Sequence, residues 1–149
     1  MHKRIILAEK LANHNIETIL VTDASLFSNL QHADQVIIGA DAITKKGIIN
    51  KIGSRVLSHV ATYKEIPVHV LCCHEKILPY SFEMNQERKK DPREIYTNSN
   101  NTIQVINTYF DTISFHDVQR IITQKGPSTS TEIISYMKTL KLHNKLKNL

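Results

Sequence analysis

The stretch Val36–Ser54, VIIGADAITKKGIINKIGS, places an acid, an amide and a lysine around one turn between two apolar segments. Asp41 stands where an apolar run of strand type ends, and Asn50 and Lys51 follow the turn. A carboxylate on a rigid strand end suits general acid–base chemistry. A lysine offers a point charge to phosphate, and an asparagine both donates and accepts hydrogen bonds. Together these residue types indicate a pocket for a phosphorylated polyol.

The same residues also permit a purely structural interpretation. Asp41 could cap the next turn, and Lys51 could be a solvated surface charge. Gly47 and Gly53 belong to a phosphate-approaching loop in the first interpretation, because glycine allows close backbone approach. In the second interpretation the glycines only reverse the chain. Spacing alone leaves both alternatives open.

Hydrophobic periodicity along the chain predicts an α/β fold. Apolar spacing predicts a first helix over residues 3–14 and a second one beginning near Ile49, and hydroxyl–acid spacings predict helix N-caps at Ser114 and Thr129. Runs rich in β-branched residues predict four extended segments: 16–22, 34–40, 66–73 and 102–110. Residues 83–101 are polar and irregular, which predicts a long loop. Alternation of helix and strand with short links predicts a parallel sheet covered by helices on both faces.

In such sheets ligands bind beyond the carboxyl ends of the strands. Three charged side chains just past predicted strands would share that rim: Asp23, Asp41 and Lys76. Asp23 also has the position of an N-cap for a short helix. Asn50 and Lys51 would open the helix expected near Ile49. Its free N–H groups and positive dipole end would stabilise a phosphate there.

Composition is that of a folded protein without a membrane segment. With 149 residues, 41% hydrophobic and 22% charged, the chain can bury one core, and one domain is expected over residues 1–149. There is no run of about 18 apolar residues that would span a membrane. Glu9 and Lys10 interrupt the N-terminal apolar run, which argues against a signal peptide. A cytoplasmic protein is therefore expected.

The net charge of +5 raises the question of nucleic acid, but the lysines are scattered apart from two short clusters. No aromatic residues interleave with them, so a solvated basic surface is favoured and nucleic-acid binding is not expected. Cys72 and Cys73 are adjacent, which suits neither a disulfide nor a zinc site, and no metal is expected. The glycine-rich dinucleotide fingerprint is missing, so no cofactor is expected.

The opening stretch resembles the most characteristic segment of one known family. That family joins the alpha, beta and delta regulatory subunits of translation initiation factor 2B with isomerases of methylthioribose 1-phosphate and ribose 1,5-bisphosphate. Its pattern there is a G-A-D strand end, a loop with a glycine, and N-K-I-G-T. The resemblance continues in order over roughly residues 7–130, through the segments ILVTDASL, IPVHVLCCHEKILP, RKKDPREI and INTYFDTISFHDVQRIITQKG.

The resemblance implies a Rossmann-like domain that lacks the family's N-terminal helical domain. Asp41 matches the catalytic aspartate of the isomerases, and Asn50, Lys51 and Lys76 match positions that contact the sugar phosphate. In the isomerases the aspartate works with a cysteine that precedes the G-A-D strand. Family members also dimerise through this domain, which implies a homodimer or a hetero-oligomer with related subunits.

Several departures from the family pattern bear on function. The upstream segment with the partner cysteine is not in this chain, and Gln124 and Ser54 replace a usual Glu and Thr. Loss of one of two groups that act as a unit should leave little catalysis. The favoured hypothesis is therefore a domain that binds a sugar phosphate or partner subunits and is not catalytic alone. The alternative is an aldose–ketose isomerase acting on a ribose 1-phosphate-type substrate.

Overall fold

The structure is a computed structural model that describes residues 2–84, 90–97 and 102–142, with the side chains of 2–4 left aside. Parts of the predicted 83–101 loop therefore lie outside the described residues. The described chain falls into two compact units, one up to Ala33 and one from Asp34 onward. No described helix is long and apolar enough to cross a membrane.

The first unit is helical. It contains α1 (His2–Asn13), α2 (Leu26–Asn29) and 3₁₀ turns at Asp23–Ser25 and Leu30–His32. The predicted helix over 3–14 is confirmed. It ends in a Schellman arrangement, with Asn15 at φ 58° and the Ile16 N–H donating to the Leu11 carbonyl at 3.1 Å.

Two predictions for the first unit are wrong. Residues 16–22 form no strand, and the side chains of Ile19 and Leu20 are 78% and 59% exposed. A β-rich segment needs a neighbouring strand and a covered face to become a strand. Asp23 is the first residue of a 3₁₀ turn, and Thr22 holds the cap position.

The second unit contains seven strands and two α-helices among its described residues. The strands are β1 (Val36–Gly39), β2 (Ala42–Thr44), β3 (Gly47–Lys51), β4 (Val68–Leu71), β5 (Phe110–Ile113), β6 (Arg120–Thr123) and β7 (Gly126–Ser128). The helices are α3 (Ser54–Tyr63) and α4 (Ser130–Thr139). Strands β1, β4 and β6 are parallel neighbours and β7 adds an antiparallel edge. The predicted α/β class is confirmed.

The two faces of the larger sheet differ in burial. Val70 lies in register with both Ile38 and Ile121, and these three side chains are at most 8% exposed. One residue along, Ile37 and Leu71 point to the other face and remain 58% and 49% exposed. The core therefore lies on the first face.

A smaller antiparallel sheet, β2-β3-β5, forms the second part of the core. Ile43, Ile48 and Ile113 pair across its three strands and are all 0% exposed. The prediction of a helix beginning near Ile49 is wrong, because β3 continues to Lys51 and pairs on both sides. α3 begins only at Ser54.

The remaining predicted elements are partly confirmed. β5 occupies only the end of the extended segment predicted over 102–110. Ser114 does act as a cap, with its side chain accepting from His116 N–H, but it caps a 3₁₀ turn. The capping box of Thr129 and Glu132 is present at the start of α4.

Candidate functional site

Asp41 lies two residues beyond the end of β1 and directly before β2, at the carboxyl edge of the larger sheet, and its side chain is exposed. Its N–H donates to the Ile49 carbonyl at 2.8 Å, while the next residue, Ala42, is also paired with Ile49. Asp41 and Ala42 therefore both face Ile49 of the neighbouring strand, which is the arrangement of a β-bulge. Bulges re-aim side chains and are frequent beside active sites.

Asn50 is half-buried in β3 and is held by its neighbours. It lies opposite Asp111 of β5, and its Nδ2 donates to Ser54 Oγ at 3.0 Å. This bond links the end of β3 to the first residue of α3. Asn50 therefore sits between a carboxylate and a hydroxyl, with its amide oriented.

Asp111 is a residue of this site that the sequence prediction missed. Its Oδ2 accepts from Gly53 N–H at 2.8 Å and from Arg55 N–H at 3.3 Å. The carboxylate thus satisfies orphan donors at the start of α3 and complements its dipole. The sequence predicted a bound phosphate at this helix N-terminus. The Asp111 carboxylate of the protein itself takes that position. The sequence feature that could have indicated Asp111 is an acidic residue within an apolar segment of strand type, next to Phe110.

Lys51 diverges from Asn50. Neighbouring residues of a strand point to opposite faces, so the two side chains do not converge from β3. The Lys51 Nζ lies 3.6 Å from the centroid of the Phe110 ring, a cation–π contact. Binding of a phosphate by Lys51 would require it to leave that ring.

Lys76 follows β4 within the 3₁₀ turn His74–Lys76. The next residue, Ile77, forms a parallel bridge with Ile43, and Leu78 N–H donates to the Ile43 carbonyl at 2.9 Å. The backbone of Lys76 is therefore beside that of Ala42, one residue from Asp41. An exposed ammonium and an exposed carboxylate thus leave the same edge of the sheet from adjacent chain segments.

The two predicted loop glycines have local structural reasons. Gly47 has φ +136°, and a Cβ placed there would be 2.2 Å from the Ile113 carbonyl oxygen. Gly53 has φ +95°, and its N–H is already given to Asp111. Both glycines are explained by the packing of β3, β5 and α3 without a ligand.

The cysteines near this edge are free, with Cys73 exposed and Cys72 half-buried. Burial raises the pKa of the Cys72 thiol, the neighbouring Cys73 raises it further, and Lys76 acts in the opposite direction. The raised pKa favours the protonated thiol of Cys72, whereas an activated nucleophile needs a lowered one. Within the described ranges, no three His, Cys, Asp or Glu side chains converge as metal ligands.

The second unit thus places Asn50 and Lys76 on two segments that each adjoin that of Asp41, with Lys51 turned to the other face of β3. Asp23 belongs to the first unit and is not counted with them. The arrangement offers a carboxylate for hydroxyl groups or a proton and an ammonium for an anion. Those are the functional groups a phosphorylated polyol requires.

Three comparisons identify proteins similar to this chain. A model of the Initiation factor 2 subunit family matches residues 5–130. The ribose 1,5-bisphosphate isomerase of Pyrococcus furiosus is 28% identical over 129 residues, covering 81% of this chain and 40% of the isomerase. A putative translation initiation factor eIF-2B subunit 2-like protein of the same organism is 29% identical, covering 84% of this chain and 44% of its own length.

The structural comparison agrees with the sequence comparisons. The crystal structure of the Pyrococcus horikoshii OT3 translation initiation factor eIF-2B matches with a TM-score of 0.69 at 29% identity. The match covers 87% of this chain and 46% of that chain. This chain therefore spans less than half the length of these relatives.

Proposed function

The chain belongs to the Initiation factor 2 subunit family, and from that premise we propose that it binds a sugar-phosphate-type ligand, associates with related subunits, and is not catalytic alone. The observation that carries the first part is the adjacency of Asp41 and Lys76 beyond the carboxyl ends of β1 and β4. Proteins similar to this chain include ones named for sugar-phosphate isomerisation and for translation initiation. Asn50 is the oriented amide beside Asp41, and Lys51 would contribute only on release from Phe110 and from the other face of β3. Gly47 opens β3 and Gly53 immediately precedes α3, so the two glycines flank the strand segment that carries Asn50 and Lys51.

The ligand is tested by isothermal titration calorimetry with ribose 1,5-bisphosphate, methylthioribose 1-phosphate and inorganic phosphate. We expect a bisphosphate or monophosphate sugar to bind more tightly than phosphate alone. Lys76→Ala should weaken binding about tenfold, the effect of losing one charge-assisted contact of about 1.5 kcal/mol. Arg120→Ala is the matched control, because Arg120 opens β6 at the opposite edge of the sheet. Equal losses in both variants would refute the site.

Association with related subunits is the second half of the proposal. Its support is the relatives named as initiation factor subunits and the apolar side chains exposed on the second unit. Exposed apolar patches of this kind mark interaction surfaces. The proposal places this association, as a homodimer or a hetero-oligomer, in the cytoplasm.

The alternative function is aldose–ketose isomerisation of a ribose 1-phosphate-type substrate. The observation that favours it is Asp41, an exposed carboxylate on a β-bulge beside an ammonium. Cys72 does not favour it, because burial raises the pKa of its thiol and so disfavours the thiolate. Proton exchange at C2 of ribose 1,5-bisphosphate in heavy water decides between the two. Exchange that Asp41→Asn abolishes would establish the isomerase, and its absence at high protein concentration supports a binding domain.

A further inference from the structure

The positive charge of this protein is concentrated at one end of the chain. Residues 120–149 contain six of the 19 Lys and Arg residues but only one of the 14 Asp and Glu residues. That segment alone therefore accounts for the net charge of +5, and the preceding residues are neutral as a whole. Such asymmetry is typical of a surface that binds a polyanion.

Two tyrosines lie among these charges. The Lys125 Nζ is 5.6 Å from the ring centroid of Tyr136, and the Lys138 Nζ is 5.5 Å from that of Tyr80. Lys45, at the turn between β2 and β3, approaches the Tyr80 ring from another element at 6.0 Å. These five residues are called the lysine–tyrosine patch. Cationic groups beside aromatic faces were not expected from the sequence, because the tyrosines are far apart along the chain.

The fold holds the two rings on neighbouring segments. Tyr80 N–H donates to the carbonyl of Met137 at 3.0 Å, which places the Tyr80 backbone beside the residue that follows Tyr136. The Tyr136 ring packs against the His74 ring, with centroids 4.6 Å apart, and this contact restrains it. Tyr80 is 40% exposed. The patch therefore offers one ring held by a neighbouring ring and one exposed ring, each with an ammonium group near it.

Among the residues that the structure describes, two carboxylates lie close to lysines of the patch. Glu83 pairs with Lys45, and Glu75 accepts from Gln124 on the turn that precedes β7. Lys125 and Lys138 are exposed, and Lys141 adds a further exposed cation just beyond α4. The patch keeps a positive charge after these two carboxylates are counted.

We propose that the lysine–tyrosine patch binds single-stranded RNA. Bases would stack on Tyr80 and Tyr136, and the lysines would move from the rings to the phosphates. Stacking accepts any base because every base has an aromatic face, so the binding would show little sequence preference. An acidic peptide would use the lysines but would gain nothing from the ring faces. The proposal is independent of the sugar-phosphate site, which uses none of these five residues.

The test is fluorescence anisotropy of the full chain with labelled single-stranded RNA of about 12 nucleotides, at about 50 and about 200 mM KCl. Affinity should fall steeply with salt, and Lys125→Glu with Lys138→Glu should reduce the salt slope by about 0.7 per lost contact. Tyr80→Ala should weaken binding by about fivefold or more through lost stacking. The matched control is Arg55→Glu with Lys64→Glu, which changes the charge equally at the two ends of α3, an element that contributes no patch residue, and should retain tighter binding.

Heparin and vesicles with anionic headgroups serve as comparison ligands. They distinguish a site for RNA from a site that binds any polyanion. Tyr80→Ala and Tyr136→Ala should weaken RNA binding while heparin binding stays unchanged, since heparin has no bases to stack. A tyrosine variant that binds RNA as well as the parent chain would overturn the proposal, and so would salt-independent binding. Preference for vesicles over RNA would also overturn it and would assign the patch to a membrane surface. Circular dichroism of each variant verifies that it is folded.

Discussion

Asp111 shows how one side chain changes the interpretation of a whole motif. A glycine-containing loop before a helix suggests an anion site, because helix N-termini present free N–H groups. Here the Asp111 carboxylate takes the N–H groups of Gly53 and Arg55. A phosphate would meet a negative charge at that position. The anion-binding group that we propose for this edge is therefore Lys76 rather than the start of α3.

Gly47 is the position where a single methyl group should be most costly. Its φ of +136° is disfavoured for other residues, and a Cβ would lie 2.2 Å from the Ile113 carbonyl oxygen. Since that oxygen belongs to the backbone of β5, it cannot move aside like a flexible side chain. We expect Gly47→Ala to lower the free energy of unfolding by about 2–4 kcal/mol in urea denaturation.

Gly39→Ala is the matched control for that substitution. No atom lies within 4 Å of the place where its Cβ would be, so the free energy of unfolding should change by less than about 1 kcal/mol. If the two variants were equally stable, the close approach of Gly47 to β5 would be refuted.

At the scale of elements, the sequence predicted what depends on local pattern. The strands containing Val36 and Val68 are apolar runs flanked by breakers, and α1 and α4 have helical spacing or a capping box. The antiparallel sheet was missed because Ile49 and Ile52 mimic helical spacing. Its correct assignment depends on pairing with β5, which lies far along the chain and contributes no local signal.

For the candidate site, too, the sequence predicted the features that depend on local pattern and missed those that depend on long-range strand pairing. The position of Asp41 after a strand follows from local pattern, and so does that of Lys76. The capping role of Asp111 and the contact between Lys51 and Phe110 depend on the pairing of β3 with β5. Residues 16–22 illustrate the opposite case, since a strong β pattern forms no strand without a ladder partner.

The cap of α3 gives a prediction for an element. Asp111→Ala removes the acceptor for two N–H groups and should lower the free energy of unfolding by about 1–2 kcal/mol, as for loss of an N-cap. Asp111→Asn retains one acceptor oxygen and should cost less. Urea denaturation followed by circular dichroism at the helical band measures both. An alanine variant as stable as the parent chain would show that water replaces the carboxylate at no cost.

The capping box of α4 gives a pH-dependent prediction. Hydrogen bonds from the Thr129 N–H and hydroxyl lower the pKa of Glu132, because they favour its charged form. The bond should therefore stabilise the fold above the ordinary pKa of 4.5. This stabilisation is lost as the pH falls through the lowered value in the folded state. The pKa of Glu94 is lowered in the same sense, mainly by the hydrogen bond from Tyr109.

Glu132→Gln isolates the contribution of that one carboxylate. Urea midpoints of the parent chain and the variant should differ at pH 7 and converge as the pH falls through the lowered pKa of Glu132 in the folded state, below which both side chains are neutral. Protonation of other acids, such as Glu94, changes the stability of both proteins equally, so it cancels in the difference between the two midpoints. A difference in midpoint that does not depend on pH would rule out the carboxylate as its source.

At the scale of the whole molecule, exposed apolar side chains are the dominant unexplained feature. In the first unit Ile19 and Leu20 are exposed, and on the larger sheet Ile37 and Leu71 point away from the core. Burying apolar area is worth about 25 cal/mol per Å². A sheet face that carries two large aliphatic residues therefore gains from being covered.

The association proposed above should therefore depend on that sheet face. Sedimentation velocity at micromolar concentration should show a species larger than the monomer, and Ile37→Lys with Leu71→Glu should shift it toward the monomer. Both side chains are already exposed, at 58% and 49%, so the variant should fold with an unchanged urea midpoint. Val56→Lys, at a 64% exposed position on α3, tests whether any apolar surface would serve. Equal dissociation by Val56→Lys, or a monomeric parent chain, would remove the sheet face as the interface.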